Sequence, residues 1–198
     1  PSRMDLFTYM DDDIYRICVS GSHAKENPFQ HYLDFLYELG ELSEDEQKLY
    51  AGIGREFIQT IETTEMQKVY KMPILYSFYN HGNIRLAVTD EEVLESWKKF
   101  FDTGTNWKDF PNVNTYEDYK KVTDKQHLSK AKRMPIRFLK ASGKGFFVEK
   151  DGYALALRNE IGEVVGNMAF GEQMGDVLGY RSLEYYRRRY EGNRWEQK

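Results

Sequence analysis

The sequence predicts a mainly α chain of α+β class: a helical N-terminal part, then a winged-helix-like unit that ends in a short C-terminal β-hairpin. Three observations carry this. Apolar residues recur at helical spacing behind good N-cap residues along most of the chain. A short alternating run, NIRLAV at residues 83–88, lies between two of those helices. Two short apolar runs, FFVEK (146–150) and YALAL (153–157), flank Asp151-Gly152, a strong hairpin signal.

Taken in order, residues 1–27 hold the least pattern. IYRICVSG (14–21) reads as a strand, and Asp11–Asp13 as a solvated acidic turn, because nothing nearby shapes a loop that would converge carboxylates on a cation. NPFQHYLDFLYELG (27–40) reads as a helix with Asn27 as N-cap, Pro28 at the first position and Gly40 as the stop. SEDEQKLYAGIGREFIQTIETT (43–64) reads as a second helix. Ser43 and Glu46 form its capping box, and Leu49, Ile53, Phe57 and Ile61 form its apolar stripe. Gly52 and Gly54 fall inside it, either as sites of close packing or as glycines tolerated at some cost.

From Pro73, PILYSFYNHG predicts a short helix closed by Gly82, followed by the strand of residues 83–88. TDEEVLESWKKFFDTG (89–104) has Thr89 as cap, Glu92 closing the box, and Val93, Trp97, Phe100 and Phe101 on its apolar side. TNWKDFPNVNTYEDY (105–119) shows no period and reads as a long polar loop dotted with aromatics. Thr123 caps a helix over TDKQHLSKAKR. Pro135 is expected to interrupt it and to start a short second helix, PIRFLKAS, because proline biases the residue before it away from helix. Ile136, Phe138 and Leu139 are the expected core-facing set of that second helix. GDVLGYRSLEYYRRRYEGNRW (175–195) predicts a final helix with a basic face. The expected boundaries are 1–70, an acidic helical part; 71–160, the winged-helix-like unit; and 161–198, the basic C-terminal helix.

Composition narrows the function classes. The chain has 198 residues, 40% hydrophobic and 30% charged, and aromatics reach 15%. That is enough for one moderate domain or two small ones with ring-rich cores. No apolar run approaches the roughly 18 residues of a membrane span, and no secretory leader is visible. With one cysteine, Cys18, an internal disulfide and a multi-cysteine zinc site are excluded, and a reducing, cytoplasmic setting is expected. The start at Pro1 suggests a piece of a longer protein.

Charge is unevenly placed. Residues 1–70 carry 6 Lys/Arg against 14 Asp/Glu, whereas residues 120–150 carry 10 against 2. In a helix-turn-helix the second helix enters the DNA major groove and needs cations for phosphates. Lys125, Lys130, Lys132 and Arg133 fall on the first of the two predicted helices. Arg137, Lys140 and Lys144 fall on or just after the second, and Lys150 at the wing turn. These eight are the candidate nucleic-acid-binding residues, with duplex favoured over single strand. The competing reading is a protein-interaction domain whose basic helices dock on an acidic surface, since a lysine-rich face also suits such a partner.

The segments YAGIGREFIQTIETTEMQKVYKMPILYSFYNHGNIRLAVTDEEV and MPIRFLKASGKGFFVEKDGYALAL resemble the C-terminal, non-ATPase region of bacterial DEAD/DEAH-box (superfamily 2) helicases of restriction or defence type. The resemblance covers about Leu42 to Arg189. It implies an accessory module that helps a helicase motor of the same parent chain engage DNA, and it brings no catalytic residues with it.

An enzymatic reading finds little to build on. SGKG (142–145) lacks the leading glycine and the Ser/Thr of a phosphate-binding loop, so no ATPase activity is expected. No GxSxG nucleophile context occurs. His23, His31, His81 and His127 are not paired at metal-ligand spacing, so no metal and no cofactor are expected. Glu149 and Lys150 are adjacent and would point to opposite faces of a strand, which argues against a nuclease centre.

Overall fold

The computed structural model describes residues 2–9 and 27–195. The expected strand at 14–21, the acidic turn Asp11–Asp13 and Cys18 lie outside the described residues. In chain order the elements are α1 (Arg3–Tyr9), α2 (Tyr32–Leu39), α3 (Glu44–Tyr50), α4 (Ile53–Thr63), α5 (Lys71–Phe78), β1 (Tyr79–Asn80), β2 (Asn83–Ile84) and β3 (Ala87–Val88). There follow α6 (Asp90–Asp102), α7 (Tyr116–Lys120), α8 (Asp124–Ala131), α9 (Arg137–Ser142), β4 (Phe147–Val148), β5 (Leu155–Leu157) and α10 (Met168–Trp195). The chain is mainly α with small antiparallel sheets, as the sequence predicts.

The elements form two compact units. Unit 1 gathers residues 1–64, 81–83 and 160–198; unit 2 gathers 65–80 and 84–159.

Unit 1 is helical. Asn27 caps a 3-10 turn at Pro28–Gln30 by accepting from the Phe29 N–H at 3.0 Å, and α2 begins only at Tyr32. The single helix expected over 28–39 is therefore a 3-10 turn followed by an α-helix. Gly40 stops α2 in the left-handed region, at φ 72°. The helix expected over 43–64 is also two. Gly52 turns extended (φ −117°, ψ −171°) and opens α4 afresh. Gly54 admits Leu49: a Cβ there would lie 2.1 Å from Leu49 Cδ1. The break tucks Leu49 into a core with Phe57, Ile58 and Ile61 on α4 and Phe170 and Met174 on α10. The final helix starts earlier than expected, at Met168, and its 28 residues reach about 42 Å.

Arg3 lies fully buried in unit 1. It donates from Nε (3.0 Å) and Nη2 (2.5 Å) to Glu62 Oε1, and from Nη1 to Gln173 Oε1 (2.7 Å) and Asp176 Oδ2 (2.8 Å). Its guanidinium carbon stands 4.4 Å from the Tyr32 ring centre. Burial pushes the Glu62 carboxyl upward, and Arg3 together with the Tyr32 N–H pulls it back.

Unit 2 runs α5, β3, α6, α7, α8–α9, β4, β5; between α5 and β3 the chain forms the β1–β2 hairpin, whose residues 81–83 belong to unit 1. Its sheet has the order β3-β5-β4, all antiparallel, with Ala87 opposite Ala156 and Phe147 opposite Leu157. This is the winged-helix-like order, and β4–β5 is the wing. The strand expected over 83–88 is two separate two-residue strands, β2 and β3. Capping holds as read. Thr89 accepts from the Glu92 N–H and Glu92 accepts from the Thr89 N–H (3.2 and 2.9 Å), and Thr123 and Gln126 do the same for α8.

Two expectations are corrected here. Residues 105–119 are not an irregular loop: they hold a 3-10 turn at Asn106–Asp109 and α7. Phe110 and Tyr119 anchor the segment by inserting rings beside Phe101 and His127, with centres 5.0–5.7 Å apart. Pro135 does not end the helix either. Residues Lys132–Ile136 form a π turn, so α8 and α9 are one unbroken helix from Asp124 to Ser142. A proline ring in an α-helix collides with the carbonyl four residues back; the wider turn moves that carbonyl aside. The helix-turn-helix with its turn near Pro135 is therefore replaced by one long helix preceding the wing.

Candidate functional site

The long helix Asp124–Ser142 buries His127, Ala131, Pro135, Ile136 and Leu139. Its opposite side exposes Lys125, Ser129, Arg133, Arg137 and Ala141, at steps of four. In a pure α-helix each such step drifts by about 40°. Residues in a π turn rotate by less than in an α-helix, so the turn takes back part of that drift and keeps these positions on the exposed side of the helix. Pro135 thus costs the site no continuity.

The structure sorts the eight candidate cations. Lys125, Arg133 and Arg137 are exposed on the helix, and Lys144 just beyond it. Lys144 sits at φ 49° and Gly145 at φ 76°, a left-handed pair that turns the chain from helix into β4. Lys150 opens the wing turn, where the Tyr153 N–H donates to its carbonyl at 3.1 Å. None of these five has a carboxylate partner among the described residues. The other three are engaged. Lys132 Nζ lies 2.6 Å from Asp90 Oδ2. Lys140 donates to Glu149. Lys130 is partly buried with its ammonium 5.1 Å from the Tyr70 ring centre, and burial, then the charges of Arg133 and Lys68, lowers its pKa.

Two aromatic side chains join the site that the sequence reading did not place there. Phe138, expected in the core, is 42% exposed, and Arg137 stands 5.1 Å from its ring centre. The π turn shifts the helical phase after Ile136 and brings Phe138 outward. Tyr153, at the end of the wing turn, is 43% exposed with Lys150 Nζ 5.1 Å from its ring centre. Its position directly after the Asp151-Gly152 turn was a usable signal, since a residue at a hairpin tip meets solvent. The helix and the wing each pair one cation with one open ring. Base faces and protein surfaces both accept such a pairing.

Net charge favours the same unit. Unit 2 holds 17 Lys/Arg and 12 Asp/Glu, and unit 1 holds 11 and 20. Among the described residues no group of three or more His, Cys, Asp and Glu gathers as a metal site, and no helix is long and apolar enough to cross a membrane. No protein-family model, curated protein or solved structure matches the chain.

Proposed function

We propose that unit 2 is a nucleic-acid-binding module of winged-helix type that binds DNA without catalysing a reaction itself. The observation that carries this reading is the set of five cations that have no carboxylate partner among the described residues: Lys125, Arg133 and Arg137 on the exposed side of the helix, Lys144 after it, and Lys150 on the wing. Phosphates spaced along a duplex suit such a set, and the exposed rings of Phe138 and Tyr153 suit sugar or base faces. The segment resemblance extends the proposal to an accessory part of a larger helicase-type protein, acting with a motor elsewhere in the parent chain, in the cytoplasm.

A second reading rests on the same two rings. Exposed aromatics next to arginine are enriched at protein interfaces. In this reading the face docks on an acidic protein surface.

Fluorescence anisotropy separates the two, with a labelled 20-mer duplex and its single strand at low and moderate salt. The DNA reading expects duplex binding whose log affinity falls with log salt at a slope near −4.5 for five contacts, at about −0.9 each. Arg133→Glu with Arg137→Glu should abolish it. No binding of either probe at low salt would overturn the DNA reading in favour of a protein partner.

A further inference from the structure

Unit 1 has a groove of about 520 Å³ where α2 ends and α3 begins, lined by Tyr37, Gly40, Leu42, Gln47, Tyr50 and Ala51. Its size falls within the roughly 300–1,000 Å³ of small-ligand sites. One wall is a stack of rings. Tyr37 lies parallel to Tyr50, with centres 4.5 Å apart and planes at 9°. Arg55 also covers Tyr50, with its guanidinium carbon 4.6 Å from the ring centre, and Asp34 Oδ1 holds it at 2.5 Å. One ring face cannot take both neighbours. The order is therefore Arg55, Tyr50, Tyr37, and Tyr37 ends the stack with its outer face open, 58% exposed.

Two carboxylates follow that ring closely in the chain. Glu38 and Glu41 are exposed, and neither forms an ion pair among the described residues. The C-terminal end of α2, at Gly40, adds the negative end of a helix dipole. Unit 1 as a whole holds 20 Asp/Glu against 11 Lys/Arg.

We propose that this groove binds an arginine side chain of a partner peptide. The guanidinium stacks on the open face of Tyr37, Glu38 and Glu41 meet its charge, and Leu42 receives its methylene stem. The same chemistry already operates one ring further in, where Arg55 lies on Tyr50 beside Asp34. Arginine fits better than lysine because a flat guanidinium stacks on a ring while an ammonium remains a hydrated point charge. The proposal concerns unit 1 and is independent of the DNA reading of unit 2.

The test titrates the full chain with the fluorescein-labelled peptide Gly-Leu-Arg-Gly-Leu-Arg-Gly and with its Lys-for-Arg counterpart. The arginine peptide should bind, and the lysine peptide should bind more weakly. Tyr37→Ala should weaken the arginine peptide by about two- to fivefold, the size of an exposed cation–π contact. Tyr37→Phe, which keeps the ring, should retain it, and Glu38→Gln with Glu41→Gln should weaken it. The proposal is overturned by absence of binding, by equal affinity for the two peptides, or by an affinity that Tyr37→Ala leaves unchanged; the last two would mean general attraction to an acidic unit.

Discussion

The ammonium of Lys140, in the last turn of the long helix, donates a hydrogen bond to the carboxylate of Glu149 at the foot of the wing. The bond ties wing to helix. Lys140, through the hydrogen bond and then through its charge, holds the Glu149 carboxyl below the usual carboxylate range. Both groups reach water, so the pair adds little to stability. Its larger effect is on charge: it neutralises a cation in the middle of the proposed DNA face and leaves an anion beside it.

Glu149→Gln should therefore strengthen DNA binding. With the anion removed and Lys140 released, affinity should rise about two- to fivefold at low salt, and the salt slope should steepen by about 0.9. Anisotropy titrations at three salt concentrations measure both. An unchanged slope would show that Lys140 does not meet phosphate.

Arg3 should be a large contributor to the stability of unit 1. Arg3→Met leaves the Glu62 carboxylate, 1% exposed, without its ion partner. Breaking a buried pair from one side costs about 3–5 kcal/mol. Guanidinium unfolding should show an unfolding free energy lower by that amount, and adding Glu62→Leu to Arg3→Met should recover part of it. A loss of unfolding free energy below about 1 kcal/mol would place the stability of this unit elsewhere.

His127 should make unit 2 sensitive to mild acid. It is buried between Phe110 and Tyr119. Burial, then the charge of Lys98, lowers its pKa, while Asp124 and Asp102 oppose the shift. The folded state then resists a proton that the unfolded state accepts below about pH 6.5, so stability falls as pH drops through that value. The melting temperature should decline from pH 7 to pH 5, and His127→Phe should flatten the decline. An equal decline in both proteins would assign the acid sensitivity to another group.

Signals within a few residues of one another were legible. The capping pairs Ser43–Glu46 and Thr89–Glu92, the cap at Thr123, the stop at Gly40 and the Asp151-Gly152 hairpin all form where the sequence places them. Each depends on backbone geometry that four neighbouring residues settle by themselves. Pro135 and Gly52 depart from local expectation in opposite directions: the proline, a local break signal, continues its helix, and the glycine, placed by the apolar period inside a helix, divides it. Both outcomes depend on packing, through a π turn that keeps Ile136 and Leu139 buried and a bend that buries Leu49.

The sequence by itself determined the mainly helical character of the chain, the caps at Ser43, Thr89 and Thr123, the hairpin at Asp151-Gly152 and the basic stretch at residues 120–150. Only the tertiary structure decided which of those cations remain without carboxylates. Lys132 and Asp90 lie 42 positions apart, and Arg3 and Gln173 lie 170 apart. A cap bonds across three residues, so its partners are near neighbours in any chain that turns. Partners this far apart along the sequence meet only once the intervening helices have packed.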